Sequence, residues 1–309
     1  MRVATIDIGT NSVLLLIAAA QDGGLRPLVE KATITRLGQG VDAKRGLAAE
    51  AEQRTLDCLA GYAALIDENE VERVAVVGTS AMRDAGGGEF ARRVSQLLGV
   101  EAEVISGERE ARLTFEGSLC GLPEQGAVTV VDIGGGSTEI ILGHGKDGSV
   151  QSAVSLDVGA VRLSERHIRH DPPLAVELGQ LQAATQRSLE MAPRSHGRPL
   201  VGVAGTVTTL AAYIHNIAPY SSEQVHGSSL SREDLERAAD ALAALTTAQR
   251  TKIPSIHPKR ADIIVAGAFL LSALMDHFAS EHLLVSDRGV RWGLARELLQ
   301  LNKEPSSPR

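Results

Sequence analysis

The sequence is poor in aromatic residues, cysteine and lysine, and it has no long apolar run. Only 3% of its 309 residues are Phe, Trp or Tyr, so any core is built mainly from Ala, Val, Ile and Leu. The two cysteines, Cys58 and Cys120, each sit in an apolar helical stretch. That is the pattern of reduced buried thiols, not of a disulfide framework. The apolar stretch 263–275 is too short to span a bilayer. The opening segment MRVATIDIGTNSVLLLIAAA is interrupted by Asp7 and followed by no cleavage-like site, which argues against a signal peptide. A soluble, cytoplasmic protein with no membrane partner is expected. None of the six lysines precedes Ser or Thr, which excludes the GxxxxGK[ST] phosphate loop. The nine histidines show no HExxH or HxH spacing, so no zinc site is expected. The net charge of −7 argues against a broad basic surface for nucleic acid.

What is present is globular: 43% hydrophobic and 22% charged residues. The length suits about two domains at roughly 150 residues each. The apolar pattern runs through the same order twice. Three strand-like runs (3–8, 13–19, 28–37) precede a helical stretch (47–66), a strand (73–78), a helix (90–98), a strand (100–105) and a helix (108–119). The second half repeats this from 128–133 onward, with extra helices and a closing helix at 291–301. The anchor is the pair of segments DIGTNS and DIGGGST, whose aspartates, Asp7 and Asp132, lie 125 positions apart. The expected fold class is α/β: two duplicated βββαβαβα domains, 1–123 and 124–301, facing a central cleft, with a flexible tail at 302–309.

Each anchor ends a strand in Asp-Ile-Gly and turns tightly into another strand. Glycine lets a ligand approach the backbone, and successive N–H groups in such a turn form an anion-binding nest. The candidate phosphate-binding residues are Gly9, Thr10, Asn11 and Ser12 in the first turn. In the second they are Gly134, Gly135, Gly136, Ser137 and Thr138. Gly134-Gly135-Gly136 leads into a strand, which the dinucleotide fingerprint does not. An aspartate just before such a turn can hold Mg²⁺ directly or through water. A third glycine site, Gly205-Thr206, lies where a strand passes into a helix, another place that attracts phosphate.

At these residues the sequence resembles the actin-like ATPase/sugar kinase superfamily, with its ribonuclease H-like domains. GTSAMRDA at 78–85, ISGEREARLTFEG at 105–117, LDVGAVRLSE at 156–165 and SDRGVRWGL at 286–294 narrow the resemblance to the exopolyphosphatase/guanosine pentaphosphate phosphohydrolase family. The resemblance implies that Glu110 is the catalytic base and that Arg83 faces the bound phosphates. It also implies that Asp132 and Glu139 lie near Mg²⁺, with Asp7 as the counterpart in the first turn, and it makes Arg291 a further phosphate-facing candidate. Read alone, Glu110 is only an acid near a helix start, where negative charge is favoured. The implied reaction is release of terminal phosphate from inorganic polyphosphate; the alternative substrate is pppGpp, and an ATP-dependent sugar or acyl kinase or a non-catalytic alarmone sensor ranks below both. A homodimer is implied, with K⁺ as a candidate second cation. Longer family members carry a C-terminal HD-type helical domain that these residues lack. Candidate basic residues for a long chain, Arg162, Arg166, Arg169, Lys259 and Arg260, look scattered in sequence. Short chains, released after each cleavage, are therefore expected.

Overall fold

The computed structural model describes residues 1–21, 24–39, 46–83, 86–123, 126–195 and 197–299. The expected tail and residues 124 and 125 of the expected boundary lie outside them. In chain order the elements are β1 (Arg2–Ile8), β2 (Ser12–Gln21), β3 (Gly24–Ile34), α1 (Ala49–Glu68), β4 (Arg73–Gly78), α2 (Ser80–Arg83), α3 (Gly87–Leu98), β5 (Ala102–Val104) and α4 (Gly107–Ser118). Then come β6 (Ala127–Ile133), β7 (Thr138–His144), β8 (Ser149–Leu156), α5 (Ala160–His167), α6 (Ala175–Leu189), β9 (Leu200–Val203), α7 (Ala204–Ile214) and α8 (Ser222–Val225). The chain continues through β10 (Ser229–Ser231), α9 (Arg232–Ala243), α10 (Thr247–Arg250), a 3₁₀ turn (Pro258–Arg260), α11 (Ile264–His277), β11 (His282–Val285) and α12 (Val290–Leu298). No helix among the described residues is long and apolar enough to cross a membrane.

Two compact units result: Met1–Gly117 with residues 290–299, and Ser118–Gly289. The first is built on a sheet of order β3-β2-β1-β4-β5. Strands β1, β4 and β5 run parallel, while β2 and β3 meander back antiparallel. Period-two alternation sends Ala4, Ile6 and Ile8 of β1 to one face. There they pack with Leu59, Tyr62 and Ile66, spaced along one side of α1, and with Phe90 and Val94 of α3. Each such Leu or Ile contributes about 1.5–3 kcal/mol on burial. The opposite face carries Val77 and Ile105 against Leu113 of α4 and Val290 and Leu294 of α12. The closing helix was expected with the second half. It belongs to the first unit because Val290 and Leu294 fill this face, and because the Thr5 hydroxyl donates to the Arg291 carbonyl at 2.9 Å.

The second unit repeats the order as β8-β7-β6-β9-β11, with β10 added at the edge. The short β10 carries too few residues to show a strand period, and sequence reading missed it. The repeat extends to an irregularity: register shifts at Ile17/Ala18 between β2 and β3, and at Leu142/Gly143 between β7 and β8. These positions are 125 apart, as the aspartates are. The extra helices form a second core around α11, whose Val265, Ala268, Leu271 and Leu274 are fully buried. This is the actin-like ATPase fold.

Helices α4 and α12 approach so closely that a Cβ on Gly293 would overlap the Leu113 carbonyl oxygen. Gly293→Ala therefore destabilises the protein by about 1–3 kcal/mol through overpacking. Gly61, in the middle of α1 with open space around it, is the contrast: Gly61→Ala adds about 0.5–1 kcal/mol. Denaturant melts of the two variants should move in opposite directions.

Glu177 caps the start of α6. Its carboxylate accepts the backbone N–H of Leu174 at 3.0 Å and of Arg169 at 2.9 Å, and lies 2.9 Å from the His170 ring. The His170 bond first, then these backbone donors, push its pKa down to about 2. A lowered carboxylate pKa stabilises the fold above the ordinary value of 4.5, and that stability is lost as pH falls towards about 2. Glu177→Gln should lower Tm at pH 7 and flatten the fall in Tm across that acid window.

Candidate functional site

In the first unit, β1, β4 and β5 are parallel, so their C-terminal ends lie along one edge of the sheet, where α/β proteins collect their functional loops. Asp7 closes β1, Thr79 follows β4, and α4 begins just after β5. The turn after Asp7 is closed by the Gly9 N–H donating to the Ser12 carbonyl at 3.0 Å. A Cβ on Gly9 would stand 3.2 Å from that oxygen. The turn's other carbonyls are tied down: Thr10 accepts from Gly38, and Asn11 from Thr35 and Arg36, at 2.9–3.1 Å. Among the described residues, none accepts the N–H of Thr10 or Asn11. The Asn11 side chain is 7% exposed, and neither its amide nitrogen nor its oxygen has a partner.

Glu110 lies in the first turn of α4 and is 7% exposed. Arg83, at the end of α2, donates to its carboxylate at 2.6 Å and to the Ile105 carbonyl at 3.1 Å. Burial raises the Glu110 pKa; Arg83 and a hydrogen bond with Thr79 pull against that rise. Asp7 has one carboxylate oxygen buried without a partner. Burial and the nearby Glu110 charge raise its pKa to about 7, against the pull of Arg291. Two acids and two arginines thus share one desolvated edge, the situation in which functional carboxylates are tuned. Arg291 is itself buried and donates to Glu30 of β3 at 2.8 Å. Glu108 is exposed, and Arg109 turns to Glu103 and Glu297, so neither competes with Glu110.

The second unit closes the equivalent turn with the same bond, Gly134 N–H to Ser137 carbonyl, at 3.0 Å. The N–H groups of Gly135 and Gly136 meet no acceptor among the described residues. The carbonyls of Gly134 and Gly135 accept from Ala160, Val161 and Arg162 in the first turn of α5. Ser137 is buried, while Thr138 spends its hydroxyl proton on the Val158 carbonyl at 2.6 Å and fastens the strand end. Asp132 and Glu139 are direct cross-strand partners, so their carboxylates share a face. Ser155 of β8 donates to Glu139 at 2.7 Å. No group of three or more His, Cys, Asp or Glu among the described residues could hold a metal.

Gly205 and Thr206 open α7, following Ala204 at φ 69°. Thr206 is buried against Gly267 of α11. A side chain at Gly205 would run into the guanidinium of Arg260, which lies across this helix start. Burial pushes the Arg260 pKa below its ordinary value, against the pull of Tyr220 and Asp287. Sequence reading missed the roles of Thr79, Ser155 and Glu30, and the seating of Arg260 on Gly205. Thr79 lay inside the GTSAMRDA segment and was within reach; the other contacts join residues with no local signal.

Fold and site together define an α/β enzyme of the actin-like ATPase fold, with paired glycine turns and a buried acid held by an arginine. A model of the Ppx/GppA phosphatase family matches residues 16–302, and the chain belongs to that family. It is 38% identical to exopolyphosphatase 2 of Mycobacterium tuberculosis, over 96% of this chain and 98% of that protein. It is 30% identical to a guanosine-5′-triphosphate,3′-diphosphate pyrophosphatase of Vibrio cholerae, over 96% of this chain and 59% of that one. A crystal structure of the Aquifex aeolicus Ppx/GppA family member aligns with TM-score 0.84 at 36% identity, covering 98% of this chain and 99% of that one.

The unpartnered Asn11 amide is a folding cost of about 1–3 kcal/mol per buried polar group. Asn11→Leu should raise Tm without ligand, while weakening the thermal shift produced by added tripolyphosphate. A Tm gain with an unchanged tripolyphosphate shift would detach Asn11 from phosphate binding.

Proposed function

We propose that this protein is an exopolyphosphatase that hydrolyses the terminal phosphoanhydride of inorganic polyphosphate. Family membership makes the chain a phosphoanhydride hydrolase; the substrate and the roles below are our reading. The observation that carries it is the buried Glu110 beside Asp7, paired with the solvent-facing Arg83. Glu110 orients a water and takes its proton as the oxygen attacks the terminal phosphorus. The bridging P–O bond breaks, and the shortened chain leaves with the electron pair. Arg83 turns from Glu110 to share the charge on the terminal phosphoryl oxygens, which a planar guanidinium does well. Arg291, held by Glu30, acts on the charge of Asp7 more directly than on phosphate.

The free N–H groups of Thr10 and Asn11, and of Gly135 and Gly136, are the phosphate donors in this reading. Ser12, Ser137, Gly205 and Thr206 line the same turns, and Arg260 adds fixed charge at Gly205. In the first unit Asp7, with its orphaned buried oxygen, suits Mg²⁺, and in the second the paired carboxylates of Asp132 and Glu139 do. Few protein oxygens, with phosphates and water completing the shell, is the usual pattern for this ion. When bound, it would neutralise phosphate charge and draw the Asp7 pKa down.

A second reading, a pppGpp 5′-phosphohydrolase, uses the same groups and rests on the Vibrio cholerae relative. The Mycobacterium tuberculosis relative, matched along nearly its whole length, favours polyphosphate. A kinase needs a base that positions an acceptor, and a sensor needs no base at all. Glu110→Gln should lower phosphate release by about 10²–10⁴-fold with substrate binding retained. Assays on polyphosphate of defined lengths, pppGpp and ATP, with and without Mg²⁺, separate the readings. Turnover near that of the unmutated protein in Glu110→Gln would remove Glu110 from the mechanism.

A further inference from the structure

In sequence, Arg162, Arg166 and Arg169 look scattered. The fold gathers them. Helix α5 starts on the second glycine turn itself, with the N–H groups of Val161 and Arg162 donating to the Gly135 carbonyl at 2.9 and 3.1 Å. Arg162 therefore stands at the rim of that turn. Arg166 follows one helical turn later on the same side, about 6 Å further along the axis. The opposite side of α5 is spent on packing: Ala160 and Leu163 are buried, and Ser164 donates to the Asp262 carbonyl at 3.0 Å.

Past the end of α5 the chain adds Arg169, whose backbone N–H donates to the Glu177 carboxylate at 2.9 Å. Burial, then the cations Arg166, Arg187 and Arg169, hold the His167 imidazole below its ordinary pKa, so all three charges are felt at that end of α5. Arg166, Arg169 and Arg187 are exposed, and Arg162 is half-buried. Glu165 is the one acid within α5 and flanks the row. Neither α5 nor α6 carries Phe, Trp or Tyr, so this surface offers no stacking partner for a nucleobase. It offers repeated cation contacts leading away from the turn.

We infer that the arginine row from Arg162 to Arg169, joined by Arg187, is an extended subsite for the inner phosphates of a polyphosphate chain. Phosphates beyond those held at the Gly134–Ser137 turn add one negative charge each, and the row meets them one after another. Chain length then sets affinity, and the expected preference for short chains gives way to tighter binding of long ones. This rests on the proposed polyphosphate reading of the glycine turns.

The test is the double variant Arg166→Ala/Arg169→Ala, whose side chains are exposed, assayed on tripolyphosphate and on long-chain polyphosphate at low and moderate salt. KM for long chains should rise about tenfold, the size of two exposed charge pairs near the top of their usual range. Its kcat should hold, tripolyphosphate kinetics should not change, and the salt dependence of the long-chain KM should flatten. The double Lys variant should recover most of the affinity. An unchanged long-chain KM overturns the inference, and so does an equal rise on tripolyphosphate, which would mean a disturbed turn. If the unmutated protein releases phosphate from neither substrate, the hydrolytic reading fails on its own. Direct binding of long-chain polyphosphate then decides the subsite: loss in the double variant upholds it, and equal binding overturns it.

Discussion

One backbone hydrogen bond, made twice, sets the terms for the rest of the structure. The Gly9 N–H meets the Ser12 carbonyl, and the Gly134 N–H meets the Ser137 carbonyl, each at 3.0 Å. The bond reverses the strand within two intervening residues. Their N–H groups then have no acceptor within the turn, and each aspartate is fixed two residues before its glycine. A Cβ at either glycine would crowd the serine oxygen, at 3.2 or 3.0 Å, so the residue type follows from the geometry. Strand order and the register shift after the second strand repeat with the same offset of 125 positions. The duplicated object is therefore the whole β-meander and not only its motif.

Duplication has not kept the two copies equal. Asp7 faces Leu14 across its hairpin, whereas Asp132 faces Glu139 at the matching place. The second copy thus pairs two carboxylates where the first has one. The first copy instead brings its acid from α4, as Glu110, and its cation from α2, as Arg83. Chemistry needs a proton acceptor in a desolvated place, and on the proposed reading Glu110 of the first unit is that acceptor. The second unit spends its helix starts differently, with α5 bonded to its own turn and α7 lying under Arg260.

Much of this was legible in the sequence because the repeat is strong and local. A seven-residue, mostly apolar strand that ends in Asp-Ile before a Gly announces both its period and its turn. The place of the closing helix was not legible, since its partner is Leu113 in the first half, and contact between distant segments leaves no trace in spacing. Arg260 illustrates the same limit: nothing in Gly205 or in Lys259-Arg260 says that they meet. Glu110 was legible only through the resemblance. Its neighbour Glu108 is the same kind of acid in the same helical turn, and it is the turn of α4 that buries one acid and leaves the other in water.

The first site also explains why such an arrangement is held under strain of an electrostatic kind. Asp7 and Glu110 repel each other in a place where burial already opposes their charge. Arg83 and Arg291 offset part of that cost, yet the Asn11 amide and one Asp7 oxygen stay without partners. Buried polar groups in that state each cost free energy, and a fold selected for stability alone would remove them. Their persistence at one sheet edge is what a site looks like when its missing partners are anionic oxygens and a cation. Those ligands would satisfy the open N–H groups and the unpaired carboxylate oxygen together. On the proposed reading, binding draws on stabilisation that the folded chain has left unused, and the same groups that weaken the free protein would orient the phosphate for attack.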